Sequence, residues 1–307
     1  MSRVITAAAG QLGPIQRSEG RDVAVGRMVE LMKEAHAKGA TFIVFPELAL
    51  TTFFPRWYME DQTEVDTYFE ASMPNAAVQP LFDAGRMMGV GFYLGYAELI
   101  EEGGVLHRYN TAVIVDRAGQ IAGKYRKVHL PGHAAYDTAR KWQHLEKRYF
   151  EVGNLGFPVW ETMEGRFGMC ICNDRRWPET YRVMGLNKVE MVCLGYNTPT
   201  HNSLSDDEGP GLRLFHNHLS MQAGAYQNST WVIGVAKAGD EDGFPLMGGS
   251  AIVAPSGEIV AQAATEEDEV LVAECNLDDC VFGRETIFNF AAHRRPEHYG
   301  AITAPVK

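Results

Sequence analysis

Cysteine is scarce in this chain: five in 307 residues, an odd number, at positions 170, 172, 193, 275 and 280. That count and spacing speak against a secreted disulfide framework, in which paired cysteines staple a small domain. Positive charge is also short, with 28 Lys and Arg against 39 Asp and Glu and a net charge of −11. The balance argues against nucleic acid and against anionic membrane surfaces as partners. It leaves room for a small anionic substrate, because a few local arginines dominate a small site. No apolar run reaches transmembrane length, and the opening "MSRVITAAAGQLGPIQ" turns polar too soon for a signal peptide. There is no HExxH and no CxxC, and the "HNH" at 216–218 falls in a predicted helix, where positions two apart diverge. No metal and no cofactor are therefore expected, and a reducing cytoplasm is the expected location.

What is present is a large core-forming fraction, 46% hydrophobic, in an alternating order of elements. Val4 to Ala9 reads as a strand. Residues 19–37 have helical spacing, with Val25, Met28, Val29, Met32 and Ala35 on one face, Ser18 as N-cap and Gly39 as stop. "ATFIVFPEL", 40–48, reads as a strand covered on both faces, and a helix is expected from Pro74 to Met88. Residues 89–99 and 108–116 predict strands around the Gly103-Gly104 turn, and "QIAGKYRKVHL" a third after the turn at 117–119. A long irregular stretch, 129–156, has the length of a functional loop. Then come the strand holding Cys172, a helix from about Pro178, the strand "EMVCLGYN", a helix over 212–226 and a strand over 229–239. "SAIVAPSGEIVAQA" and "EVLVAECNLD" read as a late antiparallel pair. No repeat or linker divides the chain, so one α/β domain over 1–307 is expected, with a tail from about residue 280 used in oligomer contacts.

Three polar positions interrupt apolar strands near their C-terminal ends, where α/β sheets bind ligands. Glu47 in "IVFPELAL" is costly to bury unless paired or neutral. It reads either as a structural ion pair or as a general base whose pKa burial raises. Lys127 in "GKYRKVHLPG" belongs either to a solvated charge cluster or to a buried face that steadies an oxyanion. Alternation sets Tyr125 and Lys127 on one face and Arg126 on the other. Cys172 ends the strand "MCIC" and meets Asn173, Asp174, Arg175 and Arg176, with a helix start close by; both features lower a thiol pKa. The other four cysteines read as small buried hydrophobes.

Together and in this order, "FPEL", "RKVHL" and "CNDRRWPE" resemble the signature of the nitrilase superfamily of carbon–nitrogen hydrolases. The resemblance implies a four-layer α-β-β-α sandwich and a Glu47–Lys127–Cys172 triad. It further implies Glu146 in "HLEKR" as an additional glutamate beside Lys127, and pairing of chains into a homodimer or homotetramer. "TTFFPRW", "HLPGH", "HLEKRYFEVGN" and "GYNTPTHN" narrow the resemblance to N-carbamoyl-D-amino acid amidohydrolases. That implies hydrolysis of an N-carbamoyl-D-amino acid to the D-amino acid, ammonia and carbon dioxide through a cysteine thioester-like intermediate. β-Ureidopropionase or aliphatic amidase activity is the alternative within the superfamily. A metal hydrolase and an inactive binding module of the same fold are the alternatives outside it. Arg175 and Arg176 are then the carboxylate clamp, a task for which a guanidinium fork suits better than an ammonium. Asn173, His129, His144, Asn197 and Thr198 are candidate substrate contacts. Val152 stands where this subfamily often has proline, and the acidic insert 203–211 borders the expected site.

Overall fold

A computed structural model of the chain describes residues 2–140, 143–202 and 207–306. The chain opens with strand β1 (Val4–Gln11), helix α1 (Arg21–Ala37), strand β2 (Phe42–Val44) and helices α2 (Gln62–Asp66) and α3 (Gln79–Met88). Strands β3 (Gly91–Glu102), β4 (Val105–Val115) and β5 (Ile121–Arg126) follow, then the one-turn helix α4 (Glu146–Tyr149). The second half runs β6 (Val159–Thr162), β7 (Gly165–Ile171), α5 (Pro178–Leu186), β8 (Met191–Tyr196), α6 (Pro210–Asn228) and β9 (Trp231–Ala236). The hairpin β10 (Ala238–Glu241) with β11 (Phe244–Met247), strands β12 (Ala251–Val253), β13 (Ile259–Gln262) and β14 (Glu269–Asn276), and helix α7 (Asp279–Glu285) complete the body.

The strands form two six-stranded mixed sheets, ordered β14-β1-β2-β3-β4-β5 and β13-β12-β9-β8-β7-β6. Their inner faces pack together, β2 and β3 on β8 and β4 on β7, while α1 and α3 cover one outer face and α5 and α6 the other. This is the expected α-β-β-α sandwich. Alternation along each strand divides the core. Ile5, Ala7, Ala9, Phe42 and Val44 enter the cluster between the sheets, and Ala8, Ile43 and Phe45 enter the one beneath α1 and α3. Both faces are therefore dry, which is why these strands read as nearly continuous apolar runs.

The structure corrects several boundaries. The run 40–48 is strand only at Phe42–Val44, because Pro46 has no N–H for the ladder and the chain turns out of the sheet there. Helix α1 starts at Arg21 with Gly20 as its cap, not Ser18; Glu19 is used instead in a turn, its carboxylate accepting the Gln16 N–H at 2.6 Å. Helix α3 begins at Gln79 rather than Pro74, because the Asn75 side chain accepts the N–H groups of Ala77 and Val78 and holds a turn there. The late pair is not a pair. β12 and β13 form their own hairpin, whereas β14 crosses to the other sheet and pairs antiparallel with β1. Gly39 does stop α1, with φ +87°. Residues 203–206 of the acidic insert lie outside the described residues.

Candidate active site

The site forms where the two sheets meet at the ends of β2, β5, β7 and β8. Past β2, the turn at Pro46-Glu47 pushes Glu47 between the sheets. Two glycines make room for it. A Cβ on Gly95 would lie 2.7 Å from Pro46 O, and one on Gly195 would lie 2.4 Å from Glu47 N. Glu47 is fully buried and held on every side. Its Oε1 accepts from Lys127 Nζ at 2.7 Å and from Asn110 Nδ2 at 2.8 Å, and its Oε2 accepts from Asn197 N at 3.0 Å.

Lys127 follows the last residue of β5 and is also fully buried. Besides Glu47 it donates to Glu146 Oε2 at 2.5 Å. An ammonium has three N–H groups, so two are committed to carboxylates and the third is left for a reacting oxygen. Glu146 opens α4 and gives its other oxygen to His144 Nε2 at 2.8 Å. Burial alone would push both carboxyls up. At Glu47 burial and the neighbouring Glu146 outweigh Lys127, and its pKa is raised. At Glu146 Lys127 and His144 outweigh burial, and it is held below the usual carboxylate range. Two carboxyls around one lysine are thereby pushed apart, the pattern that separates a proton carrier from a fixed charge. Burial also opposes the charge on Lys127, but Glu146 and Glu47 raise its pKa above the ordinary value.

Cys172 leaves β7 at a φ of +47°, a left-handed conformation that costs a side-chain-bearing residue strain. It opens the 3₁₀ turn Cys172–Arg176, and Pro178 then starts α5. As a residue Cys172 is 6% exposed, whereas the other four cysteines are fully buried. The expected lowering of this thiol's pKa is not found. Burial and the adjacent Glu47 raise it, against the opposing pull of Lys127 and Arg175. The resting group is therefore a thiol that needs a base, and Glu47 lies beside it.

The two arginines separate as adjacent residues must. Arg175 is 2% exposed, donates to Cys172 O at 2.5 Å and Thr198 Oγ1 at 2.9 Å, and stacks on the Tyr196 ring. Arg176 lines a cavity with Phe53, His144, Pro199, Arg213 and Phe244, and among the described residues no hydrogen bond or ion pair engages it. Arg176 as a whole is exposed, while the protein packed around its guanidinium and the nearby Arg175 disfavour its charge. Among the described residues no Asp or Glu lines this cavity, while Arg56, Arg176 and Arg213 all do. Arg213 is paired with Glu208 and Arg56 with Glu241.

The remaining candidates are tied inward. Asn197 donates to Glu47 O at 2.8 Å and Thr198 holds Arg175. Asn173 reaches His129 O at 3.1 Å, and His129 binds Asp174. His144 alone of these five lines the cavity. Sequence reasoning passed over Asn110, although a lone amide in the apolar strand "YNTAVIV" is a signal of the same kind as Glu47. It also passed over Arg213, for which the sequence of α6 carries no cue. Among the described residues no cluster of His, Cys, Asp or Glu is arranged to hold a metal ion, and no helix is long and apolar enough to cross a membrane.

The carbon–nitrogen hydrolase family model matches residues 6–285, and the chain belongs to that family, within the nitrilase superfamily. An N-carbamoylputrescine amidase of Arabidopsis thaliana is 32% identical over 281 residues, covering 89% of this chain and 87% of its own. A nitrilase of Pyrococcus abyssi is 31% identical over 248 residues, 81% of each chain. The crystal structure of a carbon–nitrogen hydrolase from Helicobacter pylori G27 superposes with a TM-score of 0.83 at 22% identity, over 99% of this chain and all of that one.

Proposed function

We propose that this carbon–nitrogen hydrolase removes the carbamoyl group from N-carbamoyl-D-amino acids, with Cys172 as nucleophile, Glu47 as shuttling acid–base, and Lys127 and the start of the 3₁₀ turn as oxyanion donors. Glu47 takes the thiol proton, and Cys172 Sγ bonds to the ureido carbonyl carbon. The oxygen's charge falls on the uncommitted N–H of Lys127 and on the backbone N–H of Asn173, near the start of a turn whose first amides lack intrahelical partners. Glu47 returns its proton to the departing ammonia, leaving a thioester-like carbamoyl-enzyme. Water gives a proton to Glu47 and attacks the same carbon. The thiolate leaves and regains the proton, and the carbamate product loses carbon dioxide to yield the amino acid. Glu146 remains ionised, holding Lys127 in place.

The observation that carries the substrate class is the cavity beside this site, lined by three arginines and, among the described residues, by no carboxylate, with Arg176 on its wall making no hydrogen bond or ion pair to those residues. A carboxylate there gains a guanidinium partner that can bind it through two parallel hydrogen bonds. An amine tail, as in the N-carbamoylputrescine named for the Arabidopsis relative, would meet like charge. Phe53, Phe244 and Leu246 add apolar wall for a side chain. Preference for the D-isomer rests on the resemblance of "CNDRRWPE" and "GYNTPTHN". The test is ammonia release from a panel of D- and L-N-carbamoyl amino acids, N-carbamoylputrescine and N-carbamoyl-β-alanine. Turnover confined to the D-isomers is expected. Preference for N-carbamoylputrescine would overturn the substrate class, and preference for N-carbamoyl-β-alanine would favour the β-ureidopropionase alternative. The assembly proposed is a homodimer or homotetramer, for which Leu186, Phe215 and Leu219, large and exposed on α5 and α6, offer apolar surface; light scattering measures it.

A further inference from the structure

Asp174 is fully buried in the 3₁₀ turn two residues after Cys172. Among the described residues no lysine or arginine hydrogen-bonds to it. A buried carboxylate in that position must be satisfied by other donors, and four surround it. Oδ2 accepts from Ile171 N at 3.0 Å and from Tyr125 OH at 2.7 Å. Oδ1 accepts from His129 N at 2.9 Å and stands 2.8 Å from His129 Nδ1. The Tyr125 hydroxyl in turn accepts from Val128 N at 3.2 Å. The His129 ring lies over Trp177 and Phe157, at centroid distances of 4.9 and 5.8 Å.

The partners fall in two short segments. Ile171 immediately precedes Cys172, at the end of β7 in the second sheet. Tyr125, Val128 and His129 bracket Lys127, at the end of β5 on the edge of the first sheet. One carboxylate thus ties the segment carrying the lysine to the turn carrying the thiol, across the gap between the sheets. The turn needs such a hold, because the left-handed Cys172 persists only where its surroundings over-determine it. We propose that Asp174 is a positioning residue that fixes the Cys172 thiol relative to the Lys127 ammonium, acting through Ile171 on one side and through Tyr125 and His129 on the other. The inference rests on the reading of Cys172 and Lys127 as the reacting pair.

The carboxylate is required in kind as well as in shape. Each of its oxygens receives one backbone N–H, from Ile171 or from His129, and neither amide can reverse its polarity. Asparagine would therefore set its own N–H2 against a backbone donor in either orientation. Tyr125→Phe removes one donor and leaves the carboxylate in place, a milder change in the same network.

Rates of Cys172 alkylation by iodoacetamide, followed by intact mass from neutral to alkaline pH, test this, beside kcat and KM measured as ammonia release from an N-carbamoyl-D-amino acid. The purified full chain, Asp174→Asn, Tyr125→Phe and Cys172→Ala are compared, with thermal unfolding as the check of folding. Moving Lys127 away removes a cation that pulls the thiol pKa down. The inflection of the alkylation profile is therefore expected to rise by about half a unit or more in both variants, a shift that loss of packing alone would not give. The rate at neutral pH is expected to fall about tenfold in Asp174→Asn and about threefold in Tyr125→Phe, and kcat should fall while KM stays within about twofold. A folded Asp174→Asn with wild-type rate and inflection overturns the proposal; if that variant does not fold, the same result in Tyr125→Phe overturns it. Turnover retained by Cys172→Ala overturns the nucleophile reading and the positioning role with it. An inactive Cys172→Ala beside wild-type rates in the other two overturns the positioning role alone.

Discussion

Truncating Arg176 to alanine is expected to hurt substrates that carry a carboxylate and to spare those that do not, whereas truncating Arg175 should hurt both. The two side chains diverge from adjacent positions. Arg176 is exposed, lines the cavity, and among the described residues makes no hydrogen bond or ion pair. A bound carboxylate would pair with the guanidinium, so truncation removes that charge pair. Losing hydrogen bonds to a charged partner costs about 1.5–3 kcal/mol, or about 10- to 150-fold in kcat/KM. Lysine at 176 should recover only part, since a point charge lacks the guanidinium fork. Arg175 holds the Cys172 carbonyl and Thr198, so its loss loosens the nucleophile's turn and lowers kcat for any substrate. The assay compares an N-carbamoyl-D-amino acid with its carboxamide analogue, measured by chromatography of the decarbamoylated product. Hydrolysis of the carboxamide itself is then not counted. Equal use of the two substrates by wild type, or equal losses on both in Arg176→Ala, would refute the clamp.

Cys172→Ala should lower turnover by about 10⁴ or more with the fold intact, while Cys193→Ala, fully buried away from the cavity, should change kcat less than about twofold. Peroxide should oxidise Cys172 first, since it alone among the five cysteines is not fully buried; inactivation should quicken with rising pH because the resting group is a thiol, and mass spectrometry locates the lesion. The acid limb of kcat/KM should lie above the ordinary carboxylate range, because the pKa of Glu47 is raised and activity requires its unprotonated form; a limb at the usual glutamate value would assign the base elsewhere. Gly195→Ala should cost about 1–3 kcal/mol of stability and displace Glu47, because its Cβ would lie 2.4 Å from Glu47 N; a crystal structure with Glu47 unmoved would refute the second part.

The layers were legible because strands dry on both faces leave long apolar runs and helices leave a 3.6-residue period. Partner choice was not. The pattern of β14 is that of any half-buried strand, and it does not say whether β12 and β13 or β1 will take it up. The three boxes were legible for a local reason: each sets a charged or nucleophilic residue at the end of an apolar strand, where burial demands an explanation. Their neighbours were harder to read. Thr198 and Asn197 sit in a polar run after β8 that suggests contact with substrate. Their side chains turn back instead, to Arg175 and to the Glu47 backbone. That choice depends on the face-to-face register of the two sheets, which no single segment encodes. The same register decides the state of Cys172. A strand end beside a turn start suggests an activated thiolate, but burial between the sheets, with Glu47 delivered from the opposite sheet, turns the balance.

That delivery bears on how one fold serves different carbon–nitrogen bonds. The groups assigned to bond cleavage are buried and neutralise one another: Glu47 and Glu146 share Lys127, and all three are closed from solvent. They recognise a carbonyl and little else. Selection among substrates must then fall to side chains beyond the lysine, and here those are arginines. Arg213 and Arg56 spend their charge on Glu208 and Glu241, so they shape the wall without offering a free cation. Arg176 has no such partner among the described residues, and reversing the cavity's preference should require only that its charge be changed. Arg176→Glu, with the inner carboxylates and lysine untouched, should lose the anionic substrate and gain on a ureido compound with an amine tail, measured as the ratio of the two kcat/KM values. If the ratio does not move, the discrimination lies elsewhere in the cavity and the clamp is not its source.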